Sequence, residues 1–268
     1  MRLLLNELDD TAGARPGDRL DDVTLASVYA YPRCEGGRSW VRANFVSTLD
    51  GAATGADGKS GSINTGADRE VFTLLRALAD VILVGAGTAR VEGYRRPVVA
   101  DKWGRLGLRQ GRSDHPVLAV VSRSARLPTS LCAGQGQAGD VLLLTCEAAG
   151  NEAIRRAEQI LGEDRVVVQG DQSVKLATAL DDLAKRGLPR ILCEGGAHLL
   201  HDVIDSGRLD ELCLTITAKV VAGPQARILV GPGITEQLVP RLLIESQGTL
   251  LGRWIRPDDA GSAIAGQL

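Results

Sequence analysis

The amino-acid sequence predicts an α/β protein with a mostly parallel central sheet, helices on both faces and an antiparallel hairpin near the C-terminus. Three observations predict it. Uninterrupted apolar runs such as Val81–Val84, Val117–Val121 and Val141–Leu144 have the length and β-branched content of strands buried on both sides. Segments with apolar residues three and four positions apart alternate with these runs, as amphipathic crossover helices do. Glycines mark several of the junctions, including Gly85, Gly187 and the pair Gly195-Gly196.

In chain order, residues 1–38 read as an N-terminal extension. Gly13, Pro16, Gly17, Pro32, Gly36 and Gly37 break its periodicity and leave room for one short helix near Leu20–Tyr29. Trp40–Thr48 is a strand ending in the turn signal Asp50-Gly51. Ala67–Ala79 is a helix with Val71, Leu74, Leu75 and Leu78 on one face, and either Thr65 or Asp68 is placed to cap it. Val166–Val168 adds a fourth short run. Asn151–Leu161 and Ser173–Arg186 are helices, the first opened by Asn and the second closed by Gly187. Arg190–Cys193 is a strand leading into a helix at Ala197–Asp205. Leu212–Thr217, Leu242–Ser246 and Leu250–Ile255 are strands, the last two forming the hairpin. One domain over 39–256 is expected, with 257–268 as a frayed tail.

Composition narrows the function. A chain of 268 residues with 44% hydrophobic and 24% charged residues can bury a sizeable core, and a net charge of −2 gives no phosphate-tracking surface for nucleic acid. No apolar stretch approaches the length of a membrane span. The five cysteines are scattered without a C-x-x-C pair, and Cys146, Cys193 and Cys213 sit in or beside apolar runs as small hydrophobes would. That usage fits a reducing, cytoplasmic setting. Three histidines, of which only His198 and His201 are close in sequence, predict no metal site.

Ligands of such sheets bind at the carboxyl ends of the strands, and four strand ends stand out. Gly85-Ala86-Gly87-Thr88 is either a plain tight turn or a backbone seat for an anion, and Arg90 at the third glycine position excludes a Rossmann fingerprint. Glu194-Gly195-Gly196 opens a helix and is either an ordinary turn or a phosphate seat, with Glu194 free to hold an amino group. Ser122-Arg123-Ser124 is either a solvated loop or a site for a phosphate monoester. Ser47-Thr48-Leu49-Asp50-Gly51 offers Asp50 either as a turn former or as an active-site acid.

Taken in order, Ser47–Gly51, Leu74-Leu75-Arg76-Ala77, Asp80–Thr88, Glu194-Gly195-Gly196 and Leu209-Asp210-Glu211-Leu212 resemble the reductase half of the bifunctional riboflavin-biosynthesis deaminase/reductase family, over roughly residues 40–256. The resemblance implies a dihydrofolate-reductase-like fold, a homodimer, and NADPH as the cofactor for reducing the ribosyl group of a ribosylaminopyrimidine 5′-phosphate to ribityl. It implies cofactor contacts at Val46, Gly85, Gly87, Thr88, Ser122, Arg123, Gly195, Gly196, Ala197, His198 and Leu199. Ser60, Arg76 and Glu194 are implied on the substrate side, and Asp50, Glu92 and Glu194 as catalytic residues.

The chain departs from the family in three places. Where the family continues with Asp-x-Pro and Leu-Thr-x-Arg, this chain has Glu92-Gly93-Tyr94-Arg95-Arg96-Pro97, so Glu92 stands for the Asp and Arg95 or Arg96 for the phosphate ligand. Ser62 replaces the tryptophan that usually precedes the first long helix. The zinc signature of the deaminase half is missing. These changes fall on the substrate side, which leaves a pterin-like heterocycle as the alternative substrate and a non-catalytic nucleotide binder as the alternative class.

Overall fold

The computed structural model describes residues 1–8, 13–34, 37–132 and 138–257; the tail expected at 257–268 lies, but for its first residue, outside them. The elements are β1 (Arg2–Asn6), α1 (Asp22–Val28), β2 (Trp40–Thr48), α2 (Gly66–Leu78), β3 (Val81–Gly85), α3 (Ala86–Val91), α4 (Asp101–Gly104), β4 (Val117–Val121), α5 (Thr129–Cys132), β5 (Val141–Thr145), α6 (Asn151–Leu161), β6 (Val166–Val168), α7 (Leu176–Lys185), β7 (Arg190–Cys193), α8 (Ala197–Asp205), β8 (Glu211–Thr217), β9 (Val239–Ser246) and β10 (Thr249–Ile255). They build a ten-stranded sheet in the order β1-β9-β10-β8-β2-β7-β3-β4-β5-β6. Every pair from β8 to β6 is parallel, while β1/β9, β9/β10 and β10/β8 are antiparallel. The mainly parallel sheet and the C-terminal hairpin are those expected.

Alternation along β3 shows why the strands read as unbroken apolar runs. Ile82 and Val84 face one core layer with α2 and α6, and Val81 and Leu83 face the other with α7 and α8. All four are fully buried, and each such side chain contributes about 1.5–3 kcal/mol. Helices therefore cover both faces. Cys146, Cys193 and Cys213 are buried, as their neighbours suggested.

Two details differ from the sequence reading. The N-terminal extension, read as holding one short helix, also supplies an edge strand, because residues 2–6 pair with β9. Helix α7 begins at Leu176 rather than Ser173: Gly170 turns the chain at φ 93°, and the Lys175 N–H is taken by the Gln169 carbonyl at 3.0 Å. Residues 171–175 therefore close a loop.

The N-terminal segment is tied to the sheet by a fully buried charge cluster. Arg42 on β2 and Arg253 on β10 both meet Glu211 on β8, at 2.9 and 2.6 Å. The same guanidiniums donate to the Tyr29 and Val28 carbonyls at the end of α1. Burial alone would raise Glu211, but Arg253 and Arg42 outweigh it and hold its carboxyl at about 2. This attraction is fully present above the ordinary range of the carboxylate and is lost only as pH falls through about 2.

Helix α2 matters most for the site. Its cap is Thr65, whose Oγ1 accepts from the Asp68 N–H at 3.2 Å and lies 3.2 Å from Thr249 Oγ1. With Thr65 as the cap, the Asp68 carboxyl is released to point elsewhere. Thr65→Ala is expected to cost about 1 kcal/mol of stability, measured as a lower urea midpoint at unchanged m-value.

Candidate active site

The carboxyl ends of β2, β3 and β7 converge with α2, the 92–98 segment and the 226–228 loop around a cleft of about 700 Å³. Its walls include the expected residues Val46, Ser60, Arg76, Gly87, Thr88, Glu92, Glu194, Gly196 and Ala197. Residues distant in sequence thus meet in one place.

Glycines let the strand ends come this close. The Gly85 N–H donates to the Gly195 carbonyl at 2.8 Å, so β3 and β7 stay joined beyond their last paired residues. Gly195 has φ 92°, and a Cβ there would lie 2.9 Å from the Phe45 ring. A Cβ on Gly196 would lie 2.5 Å from Thr88 Oγ1. Gly196 also begins α8, whose N-terminus carries no side-chain cap and opens on the cleft. Uncapped N–H groups and the positive end of the helix dipole suit an anion.

At one side of the cleft, Arg76 grips Glu194 with two bonds of 2.7 Å, Nε to Oε1 and a terminal nitrogen to Oε2. The Tyr94 hydroxyl donates to Oε2 at 2.8 Å, and the guanidinium stacks 4.2 Å from the Phe72 centroid. Burial pushes Tyr94 well above its ordinary pKa and the Glu194 charge adds to this, so the phenol keeps its proton. Burial opposes the charged form of Arg76, and the Glu194 carboxylate more than restores it. Glu194 is therefore engaged by the protein, with Oε1 accepting one bond and Oε2 two. Glu92 is held too, accepting from the Ser60 N–H and Oγ at 3.1 Å each.

Several expected contacts need correction. Asp50 does not line the cleft. Its carboxylate accepts from the Thr48 hydroxyl and from the N–H groups of Ala222 and Val221 at 2.8 and 3.0 Å. The Thr48 bond, followed by these two, holds the Asp50 carboxyl at about 2. An acid so ionised is no proton donor near neutrality; it anchors the loop that delivers Ala226, Arg227 and Ile228. Ser122 is buried and spent on its own turn, donating to the Arg126 carbonyl and accepting the Arg126 N–H, both at 3.1 Å. Arg123, Ser124 and Arg126 remain exposed at the end of β4. Leu199 points into the core, so only its backbone lies at the helix start, and His198 faces outward.

Sequence reasoning missed Asp68, Tyr94 and Asn64. Asp68 lines the cleft with only 4% of its surface exposed. Burial pushes its carboxyl up; the Thr215 hydroxyl and then Arg69 offset only part of this. Asn64 Oδ1 and Arg96 Nε, both in residues lining the cleft, are buried with no hydrogen-bond partner among the described residues. Such atoms need a partner from water or a ligand in the cleft. The described residues contain no group of three or more His, Cys, Asp or Glu that would hold a metal ion. No helix among them is long and apolar enough to cross a membrane.

Comparison with known proteins shows the family. Residues 39–250 match the RibD C-terminal domain family. The 2,5-diamino-6-ribosylamino-4(3H)-pyrimidinone 5′-phosphate reductase of Methanothermobacter thermautotrophicus is 32% identical over 200 residues, covering 74% of this chain and 87% of that protein. The protein of the same name from Archaeoglobus fulgidus is 27% identical over 175 residues, or 65% and 78% of the two chains. A pyrimidine reductase-like protein from Corynebacterium diphtheriae superposes with a TM-score of 0.72 at 28% identity, covering 82% of this chain and 93% of the other. The α/β architecture is shared with that pyrimidine reductase-like protein, in keeping with the reductase resemblance.

Proposed function

Because the chain belongs to the RibD C-terminal domain family, we propose that it is an NADPH-dependent reductase of riboflavin biosynthesis. It converts the ribosyl group of a ribosylaminopyrimidine 5′-phosphate to ribityl, and the names of its relatives favour the diaminopyrimidinone over the deaminated uracil. The observation that carries this reading is Asp68, a buried carboxyl facing a cleft that opens beside the uncapped start of α8.

The residues fit the cofactor. The α8 N-terminus, with Gly196 and Ala197, suits the pyrophosphate, and Val46, Gly87 and Thr88 line the route inward. Arg123, Ser124 and Arg126 form the seat for the 2′-phosphate, with Ser122 shaping the turn beneath them. NADPH supplies the hydride when bound. Arg123→Ala is expected to weaken NADPH by about 1.5–3 kcal/mol and NADH much less; titration of intrinsic fluorescence with each nucleotide checks this.

Opening of the ribosyl ring breaks the C1′–O4′ bond, moves the proton of the adjoining N–H to O4′ and leaves a C1′=N imine; reduction then adds a hydride to C1′ and a proton to that nitrogen. Asp68 is the group that holds that proton, since Glu194 is committed to Arg76 and Tyr94, and Glu92 to Ser60. Arg76, Phe72 and Tyr94 shape the wall against which the heterocycle lies, and Glu194 keeps Arg76 in place. The reductase unit is assigned to residues 39–256, with 1–38 added to its edge. The active form is a homodimer in the cytoplasm.

A second reading shares the same observation. A dihydropterin is also reduced at a C=N bond, so a buried acid serves it equally. Steady-state NADPH oxidation with the diaminopyrimidinone, the deaminated uracil and dihydrofolate offered separately decides between them. Turnover of a pyrimidine phosphate with a ribityl product supports the first reading. Turnover of dihydrofolate alone supports the second, and silence with all three removes both.

A further inference from the structure

Residues 218–238 join β8 to β9 without a helix or strand of their own, longer than the ~12–15 residues at which a bare connection in a compact domain becomes unusual. The segment supplies Ala226, Arg227 and Ile228 to the wall of the cleft. Its first part is held by Asp50, through the N–H groups of Val221 and Ala222, and by the Ala53 N–H, which donates to the Ala226 carbonyl at 2.8 Å. Beyond the wall a second anchor is made on α8. The Val230 N–H donates to the Ala197 carbonyl at 3.3 Å, at the uncapped helix start that opens on the cleft. Leu229 packs against the core layer that includes α8. One turn further along α8, His201 Nε2 lies 3.0 Å from the Pro232 carbonyl. A carbonyl only accepts, so Nε2 carries the proton and donates. His201 is buried, whereas Arg227, Val230, Gly231 and Pro232 are exposed. Its ring faces Gly231 so closely that a Cβ on that glycine would lie 2.3 Å from Cδ2.

We propose that His201 is a positioning residue, the latch that holds residues 226–232 against the start of α8 and keeps the nucleotide site of the cleft in its binding form. His201 does not itself line the cleft and acts through the backbone at Gly231 and Pro232. Asp50 and His201 thus hold opposite ends of one wall. An exposed loop of this kind gains little from burial and belongs to the low-stability end of a fold. Its closed and open forms are close in free energy, so one hydrogen bond tips the balance. When the latch is lost, the apparent affinity falls with the fraction of protein that is competent to bind. This inference rests on the reading of the α8 start as the pyrophosphate seat, and adds to it the residue that keeps the neighbouring wall in place.

Variants of the full-length protein separate the latch from the ring that carries it. His201→Phe keeps a ring and removes the donor, while His201→Gln returns an N–H at similar reach. Gly231→Ala attacks the same contact from the loop side. Gly231 does not have a positive φ, so alanine there acts by meeting the His201 ring and not by straining the backbone. In His201→Phe, tryptic cleavage after the exposed Arg227 and the Kd for NADPH are each expected to rise about 3-fold, with the urea midpoint close to native. Gly231→Ala should weaken NADPH at least as much, and His201→Gln should restore both values. Approaching the contact from two sides guards against one variant failing to fold. Phe and Gln variants that behave alike, or NADPH affinity unchanged in His201→Phe and Gly231→Ala, overturn the latch. So does a loss of affinity that only follows a lowered urea midpoint, since that is general destabilisation. A native protein that binds no NADPH overturns the cofactor reading and the latch with it. Native binding with indifferent variants overturns the latch alone.

Discussion

Asp68→Asn is expected to lower kcat/KM for the pyrimidine phosphate by about 10²–10⁴-fold, the range for loss of a positioned proton donor, and at the same time to raise the thermal midpoint. The two effects share one cause. Burial raises the Asp68 carboxyl above its ordinary value, so the folded protein binds this proton more tightly than the unfolded chain does. Stability from this group is then present at low pH and lost as pH rises through the elevated pKa. Above that pKa the charged carboxylate opposes folding, and a neutral amide removes that cost. The same elevation predicts that kcat/KM of the native protein declines as pH rises through the Asp68 pKa, and that the variant lacks this limb. Calorimetry at neutral pH and a pH–rate profile check both halves. A variant that loses activity and melts earlier would make Asp68 a structural residue.

Glu194→Ala should act in the opposite direction on stability. Its carboxylate is 2% exposed and is the counter-charge of Arg76, which is 23% exposed. Removing one member of such a pair leaves a guanidinium partly buried and uncompensated, at a cost of about 3 kcal/mol. For a chain of this size that lowers the thermal midpoint by roughly 6–12 °C. Activity falls as well, because Arg76 and Tyr94 lose the group that fixes them. Removing both charges, in Arg76→Met with Glu194→Leu, should recover most of the stability and none of the activity. A double variant no more stable than Glu194→Ala would contradict the ion-pair account.

The contrast between these two acids shows what was legible in the sequence. The strands were readable because a strand buried on both faces must be apolar throughout, as Val81–Val84 is. Arg76 and Glu194 each drew notice, but their pairing across 118 residues did not, since nothing local to either position encodes the partner. The two roles left open for Asp50 could not be separated for the same reason. Its Asp-Gly turn was visible, while the N–H groups that occupy its carboxylate belong to residues 221 and 222. Asp68 was hidden by a plausible local role as a helix cap, which Thr65 performs instead. Tyr94 lies in the segment where the chain departs from the family's pattern, so the resemblance carried no signal for it. Strand β1 lies in a segment whose many glycines and prolines follow it, and a five-residue edge strand has little pattern of its own.

The central claim is that a hydride passes from NADPH to the ribosyl C1′ in this cleft. The most direct test offers the diaminopyrimidinone phosphate and dihydrofolate together with NADPH deuterated at the transferring position of the nicotinamide, and locates the label by mass spectrometry and NMR. The account predicts deuterium at C1′ of a ribityl product. Label confined to a reduced pterin, or nicotinamide oxidised with no label in the pyrimidine product, would contradict it.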